Sequence, residues 1–300
     1  MNKNLVKGLL FSLTIFVLLL SGCGQNISPN AYDNMNNPSY ELVEENQADN
    51  IVPFQIDETT LIDDQFVTIT ATGTSSDSSY GPSITLSIAN NTDKTIGIKC
   101  KDLAIDGYLI SSLFECKAEG HSTVTSQLVL TDNKLIEAGL DTPQIIDAWF
   151  YVYAPDNYTA LAEYPPVSIH TSNYKDSNYA KDLKESWPII YDMDGILIRA
   201  SYEENVPTIG DGILLYIENN SDETTNVTCQ GIRINGHSKS PIFNSVVYPS
   251  YSAVDGIAIT DSWLKDNNIS GNVTIELSLI FLDTDGNKTT DGTVSFDCVI

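Results

Sequence analysis

Ile84-Thr-Leu-Ser-Ile88-Ala-Asn90-Asn91-Thr92-Asp93-Lys-Thr95 returns 129 positions later as Ile213-Leu-Leu-Tyr-Ile217-Glu-Asn219-Asn220-Ser221-Asp222-Glu-Thr224. Ile84, Leu86 and Ile88 are matched by Ile213, Leu215 and Ile217, while the residues between them change from Thr85 and Ser87 to Leu214 and Tyr216. That is the period-2 pattern of a strand with one face buried. The polar run after it reads as a turn, because Asn and Asp tolerate the left-handed region and bond their own backbone. The match extends outward without a gap. Residues 62–171 fall on 191–300, with Cys100 on Cys229, Ile105-Asp-Gly107 on Ile234-Asn-Gly236, Phe114 on Phe243 and Thr131-Asp132 on Thr260-Asp261. A period this long, present twice, means two copies of one domain and not a solenoid of short units. Positions that stay apolar in both copies are expected in the core.

Strand follows strand in each copy. Ile96, Ile98 and Cys100 match Thr225, Val227 and Cys229. Leu103 and Ile105, like Ile232 and Ile234, then switch parity, which predicts a bulge near Lys101-Asp102. Further strands are expected at 145–154 and 274–283, and at 167–171 and 296–300. One short helix per copy is expected, with Asp132 and Asp261 as N-caps and Gly139 closing the first. About seven or eight short strands per copy, with turn signals between them, predict an all-β chain of two tandem immunoglobulin-like antiparallel β-sandwich domains. A small closed barrel is the alternative, and the uneven strand lengths argue against it.

The N-terminus reads as an export signal. Lys3 and Lys7 precede an apolar stretch, Leu9 to Leu20, too short for a membrane span and ending in small residues. Leu20-Ser21-Gly22-Cys23 resembles the lipobox of bacterial lipoproteins. That resemblance implies cleavage before Cys23 and a lipid on its thiol, against the alternative of an ordinary signal with a chance cysteine. Acyl chains in pairs hold a soluble domain at a bilayer, where one chain is marginal. The expected organisation is a signal peptide at 1–22, a disordered tether at 23–58, the first sandwich at 59–172, a polar linker at 173–187 and the second sandwich at 188–300. Asn26, Asn30, Asn34, Asn36 and Asn37 lie in the tether among Gln, Ser and Pro, a composition with too little apolar surface to order itself.

The formal charge is −25. Loss of Lys3 and Lys7 with the signal leaves 13 basic residues against 40 acidic ones, a net −27. Such a surface repels phosphate backbones, so nucleic acid is not expected as a partner. The expected location is the extracytoplasmic face of the cell membrane, reached through lipidated Cys23.

Ile217-Glu-Asn-Asn-Ser-Asp222 followed by the Ile-x-Gly hairpin at 234–236 also resembles the immunoglobulin-like repeats of exported lipoproteins from Gram-positive bacteria, generally of unknown function. The resemblance covers 59–300. It implies the sandwich and supplies no reaction and no catalytic residue.

No catalytic set stands out. His121, His170 and His237 sit at no metal-ligand spacing and are replaced in the other copy by Ser250, Val299 and Tyr108. There is no nucleophile elbow, phosphate loop or dinucleotide fingerprint. Asp283-Thr-Asp285-Gly286-Asn287 and Asp192-Met-Asp194-Gly195 read as hairpin turns ahead of calcium loops. No metal and no cofactor is expected. Beyond Cys23 four cysteines remain. Cys100 with Cys116 and Cys229 with Cys298 are the candidate disulfides, one in each domain, and four free thiols are the alternative. Trp149, Tyr151 and Tyr153 alternate with the apolar Ala148, Phe150 and Val152. They are a candidate stacking face for a glycan or a protein partner, unless another part of the chain covers them.

The reading from sequence is therefore a non-catalytic, lipid-anchored envelope protein presenting its domains for adhesion, scaffolding or recognition. One rival is a carbohydrate-binding module built on the 149–153 strand. Another is the solute-binding lipoprotein of a transporter, which would need two α/β lobes. A hydrolase with an unrecognised site is the third.

Overall fold

Type I′ turns set the frame. Asp106-Gly107 and Asn235-Gly236 hold four successive positive φ angles of 51°, 85°, 47° and 87°. An Asx–Gly pair adopts these angles at low cost and folds one strand tightly back on the next. A Cβ on Gly107 or Gly236 would meet no atom within 4 Å, so conformation and not space calls for glycine there. Asp106 accepts backbone hydrogen bonds from Gln144 and Ile145, and Asn235 accepts one from Thr274, which ties each turn to a neighbouring strand.

The structure is a computed structural model and describes residues 51–75, 80–175 and 184–300. The signal peptide, Cys23 and most of the expected tether lie outside the described residues. The first copy contains β1 (Thr59–Asp63), β2 (Val67–Ser75), β3 (Ser83–Asn90), β4 (Ile96–Ile105) and β5 (Tyr108–Ile110). It continues with β6 (Glu115–Ala118), β7 (Thr123–Val129), helix α1 (Asp132–Ala138), β8 (Ile145–Ala154), β9 (Thr159–Glu163) and β10 (Val167–His170). The second copy contains β11 (Ile189–Met193), β12 (Ile196–Val206), β13 (Gly210–Asn219), β14 (Thr225–Ile234) and β15 (His237–Lys239). It ends with β16 (Asn244–Val247), β17 (Ser252–Ala258), helix α2 (Asp261–Asp266), β18 (Asn272–Leu282) and β19 (Lys288–Val299). Strands β4 to β7 and β14 to β17 correspond residue for residue at the repeat spacing. The long β19 covers the positions that β9 and β10 divide between them.

The architecture is all-β, with antiparallel sheets packed face to face in the immunoglobulin-like manner. In the first copy β1-β2-β3-β7 faces β10-β8-β4-β5, with β6 also on β4 and β9 also on β8. In the second β11-β12-β13-β17 faces β15-β14-β18-β19, with β16 also on β14. Register breaks between Cys100 and Asp102 and between Cys229 and Gly231 place a bulge where the parity change predicted one. Each copy has a core of its own. Ile69, Leu86, Ile98 and Phe150 belong to the first, and Ile198, Leu215, Val227 and Phe281 to the second.

Two details depart from expectation. The helix N-caps are Thr131 and Thr260, one residue before the aspartates, and only Thr260 uses its side chain, accepting from the Trp263 amide. Gly139 does close α1, at φ 80°. The stretch 51–58, assigned by composition to the tether, is part of the body: Phe54 is buried and Ile56 bridges Thr171. Ile51 and Ile56 pack against the same core, so the segment carries enough apolar surface to dock.

The copies are also joined. β5 pairs in parallel with β17, Tyr108 opposite Ser252 and Leu109 opposite Ala253, so one ten-stranded sheet runs through both. The described residues all belong to one compact unit.

Candidate functional site: the aromatic strand and the seam

Strand β8 turns Ala148, Phe150 and Val152 into the first core and sends Asp147, Trp149, Tyr151 and Tyr153 to the outer face. The sequence offered Trp149, Tyr151 and Tyr153 as one stacking face. The structure does not leave them as a row. Trp149 packs between Tyr248 and Tyr251 of the second copy, with ring centroids 5.4 and 5.2 Å away. Tyr153 is fully buried, its ring stacked between Tyr151 at 5.7 Å and Tyr158 at 5.3 Å. Its hydroxyl donates to Glu115, and burial together with that carboxylate raises the phenol pKa. The ring lies flat on the backbone at Gly97, where a Cβ would come within 2.2 Å of it. Tyr151, like Trp149, is half-buried, and Tyr158 is 65% exposed.

The residues around Trp149 form the seam between the copies. Pleating gives β13 two destinations: Ile213, Leu215 and Ile217 enter the second core, while Leu214 and Tyr216 enter the first. Tyr216 lies 6.0 Å from Tyr108. Around this apolar patch runs a polar rim. Tyr248 donates to Asp102, and Tyr251 donates to Asp147 at 3.2 Å. The Lys134 ammonium on α1 meets Glu137 at 3.0 Å and Asp255 at 2.9 Å. Burial disfavours that ammonium, but the carboxylates of Asp255 and Glu137 outweigh it and raise its pKa. Ser245 donates to the second oxygen of Asp255 at 2.6 Å, and Thr208 donates to buried Glu137. A polar cleft of about 380 Å³ remains in the seam, with Lys101, Asp102 and Ser111 on one wall and Asn244, Ser245 and Asp255 on the other.

None of Asp102, Lys134, Tyr248, Tyr251 or Asp255 stood out in the sequence. A signal was nevertheless present. Leu214, Tyr216, Tyr248 and Tyr251 replace Thr85, Ser87, Glu119 and Ser122. Apolar or aromatic side chains thus occupy non-core positions in one copy only, as a contact made once requires.

The four cysteines are free thiols. Sequence symmetry about Tyr108 suggested that Cys100 and Cys116 oppose each other. The β4–β6 register instead sets Cys116 against Ile98, and the Cys100 amide donates to the Phe114 carbonyl, leaving the two cysteines a diagonal apart. Diagonal neighbours stand roughly 7–8 Å apart, beyond the Cα spacing of a disulfide. Cys229 lies opposite Leu279, which in turn lies opposite Gly292, so Cys298, opposite Val273, is far along the sheet. Burial is the main cause that pushes the thiols of Cys100, Cys116 and Cys298 up to about 11. Raised thiol pKa values mean little thiolate at neutral pH. Alkylation of a Cys23→Ser chain at pH 8 without reductant is expected to be slow while folded and to add four labels once unfolded. Two or fewer labels by mass spectrometry would restore the disulfide assignment.

The histidines are dispersed. His121 meets Asp93 at 2.7 Å on the surface, His170 stacks on Tyr174 at 4.1 Å, and His237 is exposed on β15. Among the described residues no group of three or more His, Cys, Asp or Glu is arranged to hold a metal ion. The Asp283 loop is a turn whose carboxylate accepts the amides of Asp285 and Asn287 at 2.9 and 2.8 Å. Among the described residues no helix is long and apolar enough to cross a membrane.

No protein-family model matches the chain, and no curated protein matches it. Among solved structures it is similar to a Salmonella enterica SafA pilin in complex with the SafB chaperone, at 13% identity and TM-score 0.22, over 81% of this chain and 100% of that one. It is also similar to red sea bream transglutaminase, at 10% identity and TM-score 0.19, over 83% of this chain and 31% of that one. Likeness this distant carries no argument about function.

Proposed function

We propose that the chain is a non-catalytic protein of the cell envelope, held at the extracytoplasmic face of the membrane by acyl chains on Cys23. It presents two sandwich domains for adhesion, scaffolding or recognition. The observation that carries this reading is Leu20-Ser21-Gly22-Cys23 after a basic and apolar start, placed ahead of an all-β body. A lipid at that position tethers the body without a spanning helix. The seam supports a scaffolding role, because Trp149, Tyr216 and Leu214 commit both copies to one fixed joint. Two α/β lobes around a cleft, the architecture of a solute receptor, are not what an all-β body supplies.

Expression with a radiolabelled or alkyne-tagged fatty acid tests the anchor. The native chain is expected in the membrane fraction, labelled, and shaved from intact cells by protease. Cys23→Ala is expected to be unlabelled and released. Equal labelling of the two, or a native chain protected from protease on intact cells, would overturn the reading.

A further inference from the structure

The seam is a contact between two different surfaces. The first copy offers an acceptor: the free side of β5 and the outer face carrying Asp102, Asp147 and Trp149. The second copy offers a donor: the free side of β17 and the tip carrying Tyr248 and Tyr251. Each copy has both surfaces by repeat symmetry, so one of each is left over. The leftover donor is β7, which occupies the positions of β17 and is a sheet edge among the described residues. The leftover acceptor is β15, which occupies the positions of β5 and is likewise an edge. Unpaired edges are templates for another strand.

The leftover acceptor also carries a groove of about 340 Å³, lined by Gln230, Gly231, Arg233, Lys239, Glu276 and Ser278. It is the repeat equivalent of one wall of the seam cleft. Gly231 stands where Asp102 stands in the first copy, and Ser278 where Trp149 stands. A Cβ on Gly231 would meet nothing nearer than the Ser278 hydroxyl at 3.9 Å, so the place that the seam fills is open here. The charges are altered as well. The acceptor has gained Arg233 and Lys239 at the positions of Ala104 and Ile110, while the donor tip has exchanged Tyr248 for exposed Glu119. Arg233 is more than half exposed even though it meets Glu276 at 3.2 Å.

We propose that the groove beside β15 receives the β7 edge and the Glu119 tip of a second copy of this chain, reproducing the internal seam between molecules with an ionic contact where the seam has aromatic ones. Thr123 would then lie opposite His237, and Val124 opposite Ser238. The Thr123 amide would donate to the Gly236 carbonyl as the Ser252 amide donates to Gly107 at 2.8 Å. Glu119 would enter the space over Gly231 toward Arg233, and Ser122 would face Glu276. The interface is heterologous, so it extends head to tail and does not close at a dimer. It lacks the seam's buried Leu214 and Tyr216 and its half-buried Trp149, so it is weak and reversible, and a high local concentration is what would populate it. The proposal is independent of the lipid anchor.

Sedimentation velocity of the Cys23→Ser chain between about 10 μM and about 1 mM tests it, the range where weak, reversible contacts become populated. The expected result is a mass average that grows past the dimer with concentration. Glu119→Lys or Arg233→Glu alone should weaken association about tenfold or more, and the two together should restore it. Both positions are exposed, so near-ultraviolet circular dichroism should show the fold unchanged. A monomer at every concentration, a closed dimer that grows no further, or assembly indifferent to both reversals would each overturn the proposal.

Discussion

Replacing Asn219 by alanine should lower stability by about 3–5 kcal/mol, one of the largest single-residue effects in the chain. Its side chain is 0% exposed and fully bonded. The amide donates to the carbonyls of Glu223 and Val247, both at 2.8 Å, and the oxygen accepts from the Ser221 amide at 2.9 Å and its hydroxyl at 2.7 Å. It thereby ties the β13–β14 turn to the end of β16. Alanine would orphan the buried Val247 carbonyl and strip the Ser221 amide and hydroxyl of their acceptor, and each group left unpaired costs its desolvation. Asn90 does the same in the first copy, donating to Lys94, Ala118 and Glu119, and Asn90→Ala should cost as much. The control is Asn220→Ala, one residue on and exposed, expected to stay within about 0.5 kcal/mol of the native chain. Urea unfolding of the three variants gives the comparison. Equal midpoints for Asn219→Ala and Asn220→Ala would contradict this account.

Trp149→Ala should lower stability by about 3 kcal/mol and, more tellingly, uncouple the two copies. The indole is the aromatic centre of the seam, held between Tyr248 and Tyr251, with the Tyr248–Asp102 and Tyr251–Asp147 hydrogen bonds beside it. Its loss removes buried area and lets water reach those pairs, where they are worth less. Leu214 and Tyr216 would remain, so the seam weakens without vanishing. The native chain should unfold in one transition, because each core is completed or covered by the other copy. Calorimetry of Trp149→Ala should show two. A single transition at the native temperature would mean that the joint contributes nothing to cooperativity. The same substitution bears on the glycan reading, since Trp149 is half-buried against two tyrosines and is no longer one of a free row of three rings.

Much of this was legible in the chain itself. The alternation of Ile84, Leu86 and Ile88, kept in Ile213, Leu215 and Ile217, identified the strand and its buried face, because only side chains in a core are held to one period. The Asp-Gly and Asn-Gly turns and the bulge after Cys100 followed from local backbone preference, which acts over a few residues and is written in them. The site was harder. Trp149, Tyr151 and Tyr153 were visible as a pattern, but whether a neighbour covers them depends on a contact about a hundred residues away. Cys100 and Cys116 were symmetric about Tyr108 in sequence. The register that separates them follows from the type I′ turn, which sets Leu103 opposite Ile110, and from one extra residue between β5 and β6, which sets Ile98 opposite Cys116.

The sequence by itself determined that the chain is built twice from one strand-rich unit, that its turns lie at Asx–Gly pairs, and which positions face inward. These follow from hydrophobic periodicity and local backbone preference. Only the tertiary structure decided that Leu214 and Tyr216 cross into the other copy's core, that Tyr248 and Tyr251 enclose Trp149, and that the four thiols stay apart. Those outcomes depend on how two folded surfaces meet, and docking is set by shape and desolvation over the whole contact, not by the spacing of residues along the chain.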